Sequence, residues 1–382
     1  MTAVSPVPLD TVIDVEDEKT TDPVSLFVNN NGHKLEDNVV KDENVEKRKM
    51  TIADGLRPLL ASMRLFGLYF NRQPEDAGDD SDEKSRKWNA SAIYGAIVVI
   101  LLWINVVRML SVFTRDDKFD PFLFNKLILV IWATQSAISQ TAFYAACFSG
   151  RLAVVFRQPL DDSCARHARK FSTFHSVVAW SIIVSCSAFL IYGLFCTDGL
   201  MDTIIAPFKI HINISNPLIP RIFALFILFY LESAYIFSLV MTFVLAMLFT
   251  HQFKKVNKAL ESCLDNQQRQ VSDLDIETFR QKHQEISMTV SHVDDCLMFS
   301  NASAFCCQLS CVIILLYMLI FYNSFFNDPV VVSSQAFWMI LLSFGLMLTA
   351  AGGIAVHHYV SLFTVSVCVS YLLFCYLQRQ VN

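Results

Sequence analysis

Charge is what most of this chain lacks. Residues 1–90 are acidic and polar, yet long stretches after Ala92 hold almost no charged side chain, although 17% of all residues are Asp, Glu, Lys or Arg. A soluble domain spreads its charge over its surface; a chain that crosses a bilayer repeatedly segregates it in this way. The N-terminus has no basic region leading into an apolar core, so no cleavable leader is expected, and the first span acts as its own insertion signal. A positive excess is missing too. With 30 basic against 35 acidic residues and a net charge of −5, the composition argues against a nucleic-acid partner. The 11 cysteines show no zinc-ligand spacing, and most lie inside apolar runs, among them Cys147, Cys186, Cys306, Cys307, Cys311, Cys368 and Cys375. They read as small core residues, and no metal or cofactor is expected.

What is present is apolar sequence in membrane-length runs. Ala92–Phe113, Phe122–Cys147, Phe174–Cys196, Leu218–Thr250 and Leu297–Phe326 each suffice for a spanning helix. Ala336–Gln378 is long enough for two more, joined by a tight turn near Ala355–Tyr359. The fold class predicted is all-α: a polytopic membrane protein with seven transmembrane helices. Orientation follows from Lys and Arg beside the spans. Lys84, Arg86 and Lys87 precede the first; Arg151, Arg157, Arg166, Arg169 and Lys170 lie between the second and third; Lys254, Lys255, Lys258, Arg269, Arg280 and Lys282 lie between the fourth and fifth. The alternate loops are poorer in them. The N-terminus is therefore expected in the cytoplasm and the C-terminus outside, inverted relative to G-protein-coupled receptors. No D-R-Y or N-P-x-x-Y motif follows the third or seventh span. The sequon Asn213-Ile-Ser215 falls in the longest outer loop and is a glycosylation candidate.

Three regions follow. Residues 1–50, acidic and poor in aromatics, read as a disordered cytoplasmic tail. Residues 51–90 hold "LRPLLASMRLFGLYF", whose Leu56, Leu59, Leu60, Met63, Phe66 and Leu68 favour one helical face, and an acidic linker. That face predicts an amphipathic helix lying on the inner leaflet. Residues 91–382 form the membrane domain, including a cytoplasmic helical hairpin at about 250–296. In the hairpin, Phe249, Phe253, Val256 and Leu260, then Phe279, His283, Ile286, Val290, Val293 and Leu297, alternate at spacings of four and three. This is a coiled-coil seam, to be buried either by its two arms or by several subunits combining.

The last segment carries Ser361, Thr364, Cys368, Tyr371, Cys375 and Gln378 at intervals of 3, 4, 3, 4 and 3, so all six share one helical face. A polar stripe on a spanning helix avoids lipid. It faces either neighbouring helices, as small-residue packing, or water, as a pore wall. One helix cannot enclose a pore, so the pore reading implies a symmetric oligomer.

At this point the chain resembles the insect gustatory and odorant receptor superfamily. "LRPLLASMRLFGLYF" is similar to its pre-membrane segment and "LFTHQFKKVNKAL" to the exit of its fourth helix. "FRQKHQEISMTVSHVDDCLMFSNASAFCCQL" is similar to its second inner loop and fifth helix, "AVHHYVSLF" to the end of its sixth helix, and "SYLLFCYLQ" to its last-helix motif. The likeness covers roughly residues 55–382. It implies a ligand-gated, nonselective cation channel built as a tetramer, with the last helix of each subunit lining the pore. It also implies a small-molecule tastant bound in the outer half of helices one to six. One departure is visible: the family carries tens of residues between helices six and seven, where "AAGGIAVHHYV" leaves room for little more than a turn.

The site residues expected follow. Ser361, Thr364, Cys368, Tyr371, Cys375 and Gln378 line the pore, with Tyr371 and Gln378 at its constriction or outer mouth. Glu232 lies near mid-span, where an ionisable group is costly; Gln135, Gln140 and Gln308 reach similar depths. They form either a hydrogen-bonded cluster or a ligand contact. Trp103, Arg108, Trp132, Gln135, Tyr192, Tyr230 and Glu232 are the candidate ligand pocket. The reading is a plasma-membrane chemoreceptor of gustatory type, a homo- or heterotetramer passing cations, and not an enzyme. Its competitors are a related membrane protein that does not conduct and a metabotropic seven-helix receptor.

Overall fold

The computed structural model describes residues 50–70, 90–113, 119–196, 218–265, 273–322 and 335–358. These form α1 (Ile52–Gly55), α2 (Arg57–Leu65), α3 (Ala90–Leu110), α4 (Pro121–Phe148), α5 (Arg151–Phe156), α6 (Asp162–Cys196), α7 (Leu218–Asp265), α8 (Asp273–Phe321) and α9 (Gln335–His358). Among the described residues, one antiparallel bridge, Thr51 to Pro159, is the only pairing of extended chain. Six helices among the described residues are long and apolar enough to cross a membrane: α3, α4, α6, α7, α8 and α9. The seventh expected span lies beyond His358, outside the described residues. The tight turn expected near Ala355 does not begin there, because α9 stays helical through His358.

Local sequence accounts for the element ends. Asp120 caps α4 by accepting from the Leu123 N–H at 3.0 Å, and Pro121 occupies the first turn, where its missing N–H costs nothing. Thr51 and Asp54 form a reciprocal capping box on α1. α7 and α8, of 48 and 49 residues, contain no glycine, and Pro220 in the first turn of α7 is their only proline, so neither helix has a proline or glycine in its interior to break it.

α4 and α7 are the central helices. Half or more of the apolar stretch in each is buried (50% and 61%), against a third or less for the others. α4 packs on α3, α7 and α8, and α7 packs on α6 as well. Between spans the apolar contrast with lipid is small, so polar ties and close packing must specify neighbours. Such ties recur across the bundle: Trp103 Nε1 donates to Thr141 Oγ1 (3.0 Å), Ser300 pairs with Ser139 (3.1 Å), Gln308 donates to Tyr235 (3.1 Å), Thr242 to Asn301 (3.2 Å).

The pre-membrane segment departs from its expected place. Its apolar face turns to protein, not to a lipid surface. Leu56, Leu59, Met63 and Leu68 are fully buried and Phe66 is 2% exposed. The Phe66 ring sits 5.4–5.8 Å from those of Trp180, Phe229, Tyr230 and Phe237. Helix-end carbonyls that lack an intrahelical partner are taken up by the bundle. Tyr94 Oη donates to Leu65 O at 2.6 Å and Gln140 Nε2 to Phe66 O at 3.3 Å. Gly67, at φ +69°, turns the chain back, and its carbonyl oxygen lies so near Gly95 that a Cβ there would meet it at 3.0 Å. A periodic apolar face fixes what a helix buries but not against what, and lipid and protein leave the same pattern.

The seam of the hairpin is buried within the chain. Phe249, Phe253, Val256, Leu260, Phe279, Ile286 and Leu297 are all buried, and the Phe253 ring lies 5.0 Å from that of His283. Of the two ways to bury it, the arms bury each other. The short α5–α6 connection braces them: Lys255 pairs with Asp161 at 3.3 Å and donates to Ser163 at 3.0 Å.

Candidate ligand cavity

A partly open cavity of about 30 Å³ lies between the start of α4, the later half of α8 and the start of α9. Asn125, Ile128, Leu129 and Trp132 line it from α4, Cys311 and Leu315 from α8, and Gln335, Trp338 and Leu342 from α9. Its walls follow from helical spacing: 125, 128/129 and 132 are one face of α4, and 335, 338 and 342 one face of α9. The Trp132 and Trp338 rings meet edge-on at 5.3 Å, and Gln335 Nε2 donates to Asn125 Oδ1 at 2.9 Å.

Two polar atoms of this lining are buried and unpaired among the described residues: the Trp132 indole N–H and the Gln335 carbonyl oxygen. One donates, the other accepts. An unmet buried polar group costs about 1–3 kcal/mol, so the cavity favours a molecule offering both an acceptor and a donor. About 30 Å³ admits one or two waters, whereas small-molecule sites span roughly 300–1,000 Å³. A larger ligand must therefore separate the tryptophans and push α9 away from α4 and α8.

The expected pocket residues do not converge on one place. Trp132 lines the cavity, and Gln135, buried, lies one turn further along α4. Tyr230 belongs to the packing of the pre-membrane segment, its hydroxyl 2.9 Å from that of Tyr94. Arg108, at the end of α3, donates to Asn105 Oδ1 at 2.9 Å. Trp103 and Tyr192 lie on the outer surface of the bundle, 39% and 50% exposed. Glu232 is buried at the α6–α7 contact, where one carboxylate oxygen accepts from Ser187 at 3.4 Å. Gln140 and Gln308, at similar depth, turn to Phe66 and Tyr235, so the four polar groups do not form one cluster. The stripe residues Ser361, Thr364, Cys368, Tyr371, Cys375 and Gln378, and Asn213, lie outside the described residues. Asn125, Gln335 and Trp338 were missed by sequence reasoning. The available signal was a polar residue in the first turn or so of each of two apolar helices, Asn125 in α4 and Gln335 at the start of α9.

Among the described residues no cluster of three or more metal-ligating side chains occurs. Membrane-length helices packed side by side are the architecture of a polytopic membrane protein. The comparisons with known proteins agree. The family of 7tm chemosensory receptors matches residues 56–379, nearly the whole membrane domain, and the chain belongs to that family. This is a family of receptors, not of enzymes, and its members are multi-pass proteins of the plasma membrane. No curated protein sequence matches the chain. Among solved structures it is similar to an insect olfactory receptor, OR5 of Machilis hrabei. The TM-score is 0.55 and the identity 14%, over 86% of this chain and 98% of the other.

Proposed function

We propose that this chain is a gustatory-type chemoreceptor acting as a ligand-gated, nonselective cation channel in the plasma membrane. Four subunits, identical or related, surround an axis lined by Ser361, Thr364, Cys368, Tyr371, Cys375 and Gln378. The observation that carries this reading is continuity between cavity and stripe. Gln335, Trp338 and Leu342 line the cavity, and the same helix runs on to His358, three positions before Ser361. A tastant that wedges Trp338 from Trp132 displaces α9, and α9 leads directly into the stripe. The ligand is a small molecule with an apolar body, an acceptor for Trp132 and a donor for Gln335.

Recording from cells expressing the chain tests the pore, with water-soluble cysteine-reactive reagents applied in the open state. Block is expected in the wild type and reduced block in Cys368→Ser and Cys375→Ser. Modification of neither cysteine removes the pore assignment. A second reading, a non-conducting member of the family, is favoured by one observation: with α9 helical through His358, few residues separate it from the last segment. No current at confirmed surface expression supports that reading.

A further inference from the structure

We propose that a groove between α2 and α6 holds an anionic phospholipid from the membrane leaflet at the basic end of the bundle, the cytoplasmic leaflet by the distribution of Lys and Arg. The groove, about 630 Å³, is lined by Pro58 of α2 and by Thr173, Ser176, Val177, Trp180, Ser181, Val184 and Ser185 of α6. It is far larger than the ligand cavity and lies at the other end of the spans.

Three features fit one lipid. The first is length. At 1.5 Å per residue, Thr173 to Ser185 spans about 18 Å, a little over half of a hydrocarbon core about 30 Å thick. That length suits one acyl chain of a single leaflet.

The second is the character of its wall. Its hydroxyls are already engaged: Thr173 donates to Arg169 O (2.8 Å), Ser181 to Val177 O (2.9 Å) and Ser185 to Ser181 O (2.8 Å), while Ser176 pairs with Ser62 (3.1 Å). The Trp180 N–H is also satisfied, by Ser62 at 3.0 Å. What remains is a shallow, mostly apolar groove, which suits an acyl chain better than a polar ligand.

The third is charge at the mouth. Arg166, Arg169 and Lys170 continue the Thr173–Val177 face one to two turns toward the basic end, and Arg57 sits beside Pro58. All four are exposed, and among the described residues Arg57, Arg169 and Lys170 have no carboxylate partner. Asp54, Asp161 and Asp162 are the acids of the same region, and Asp161 is paired with Lys255, so the balance is positive. Basic side chains between helices at the cytoplasmic face attract anionic headgroups, each raising local affinity about fivefold.

Trp180 reports on its own groove. The full-length receptor would be reconstituted in phosphatidylcholine vesicles containing brominated phosphatidylserine or, at equal mole fraction, brominated phosphatidylcholine. The Trp180 contribution to quenching is the difference between wild type and Trp180→Phe. Its apparent affinity is expected to favour the phosphatidylserine at least about fivefold, and the preference should vanish in Arg169→Gln/Lys170→Gln. Trp103, on the bundle's outer surface, should show no preference. Equal quenching of Trp180 by both lipids, or a preference that survives the double substitution, overturns the proposal. Quenching by neither means that protein, such as a second copy of the chain, covers the groove, and overturns it too. Should Trp180→Phe fail to fold, native mass spectrometry decides: phosphatidylserine retained by the wild type must be lost from Arg169→Gln/Lys170→Gln.

Discussion

Phe66→Ala tests the placement of the pre-membrane segment most sharply. The ring is 2% exposed and meets four aromatic rings of α6 and α7 at 5.4–5.8 Å. Truncating a buried phenylalanine costs about 3–5 kcal/mol, including the void it leaves. At about 2 °C per kcal/mol for a chain of this size, the unfolding midpoint should fall by roughly 6–10 °C. Leu65, the preceding residue, is 58% exposed, and Leu65→Ala should shift the midpoint by about 1 °C or less. The assay is thermal unfolding of detergent-solubilised receptor, followed by the loss of its monodisperse gel-filtration peak. Detergent replaces lipid, so a helix that merely lay on the membrane would respond little to either change. Equal, small shifts for the two variants would refute the buried placement and restore the leaflet-lying helix that the amphipathic pattern suggests.

Further outcomes follow from the same contacts. Gly95→Ala puts a methyl 3.0 Å from the Gly67 carbonyl oxygen and 3.2 Å from the Tyr144 ring, and should destabilise by about 1–3 kcal/mol in the same assay. Gly353→Ala meets nothing within 4 Å and should not. Tyr94→Phe leaves the Leu65 carbonyl without its 2.6 Å donor and should cost about 0.5–1.5 kcal/mol. Lys255→Gln breaks an ion pair whose side chains are each 38% exposed, so its effect should stay below about 1 kcal/mol and shrink further in high salt. Gln335→Leu removes the unpaired acceptor of the cavity; half-maximal responses to donor-bearing agonists should need about tenfold more ligand, measured by calcium imaging, while trafficking is unchanged.

Much of the fold was legible because apolar length is a strong physical constraint. The run Phe122–Cys147 is α4 to within a residue at each end, and the four-three spacing in Phe249–Leu260 and Phe279–Leu297 pointed to two helices that continue past the apolar runs, while leaving open whether the arms or several subunits bury the seam. What pattern cannot carry is the identity of the partner. Leu56 to Leu68 repeats as it would against lipid, yet the neighbours are Trp180, Phe229 and Phe237. The site was less legible for a related reason. Sequence gives depth along a span but not rotation about it, so Glu232, Gln140 and Gln308 were grouped by level, while the structure turns them toward three different neighbours. Trp132 was found because it is aromatic and lies in the outer half of its span. Its opposite number, Trp338, sits in a run where α9 had no boundary but composition to fix it.

The unbroken course of α7 has a mechanical corollary. At 1.5 Å per residue its 48 residues measure about 72 Å, more than twice a hydrocarbon core about 30 Å thick. It behaves as a lever whose inner limb carries the hairpin partner α8 along with it. A tilt of only about 5° at one end sweeps the other sideways by about 6 Å, the height of one helical turn, so a modest disturbance near one membrane face is magnified at the opposite tip.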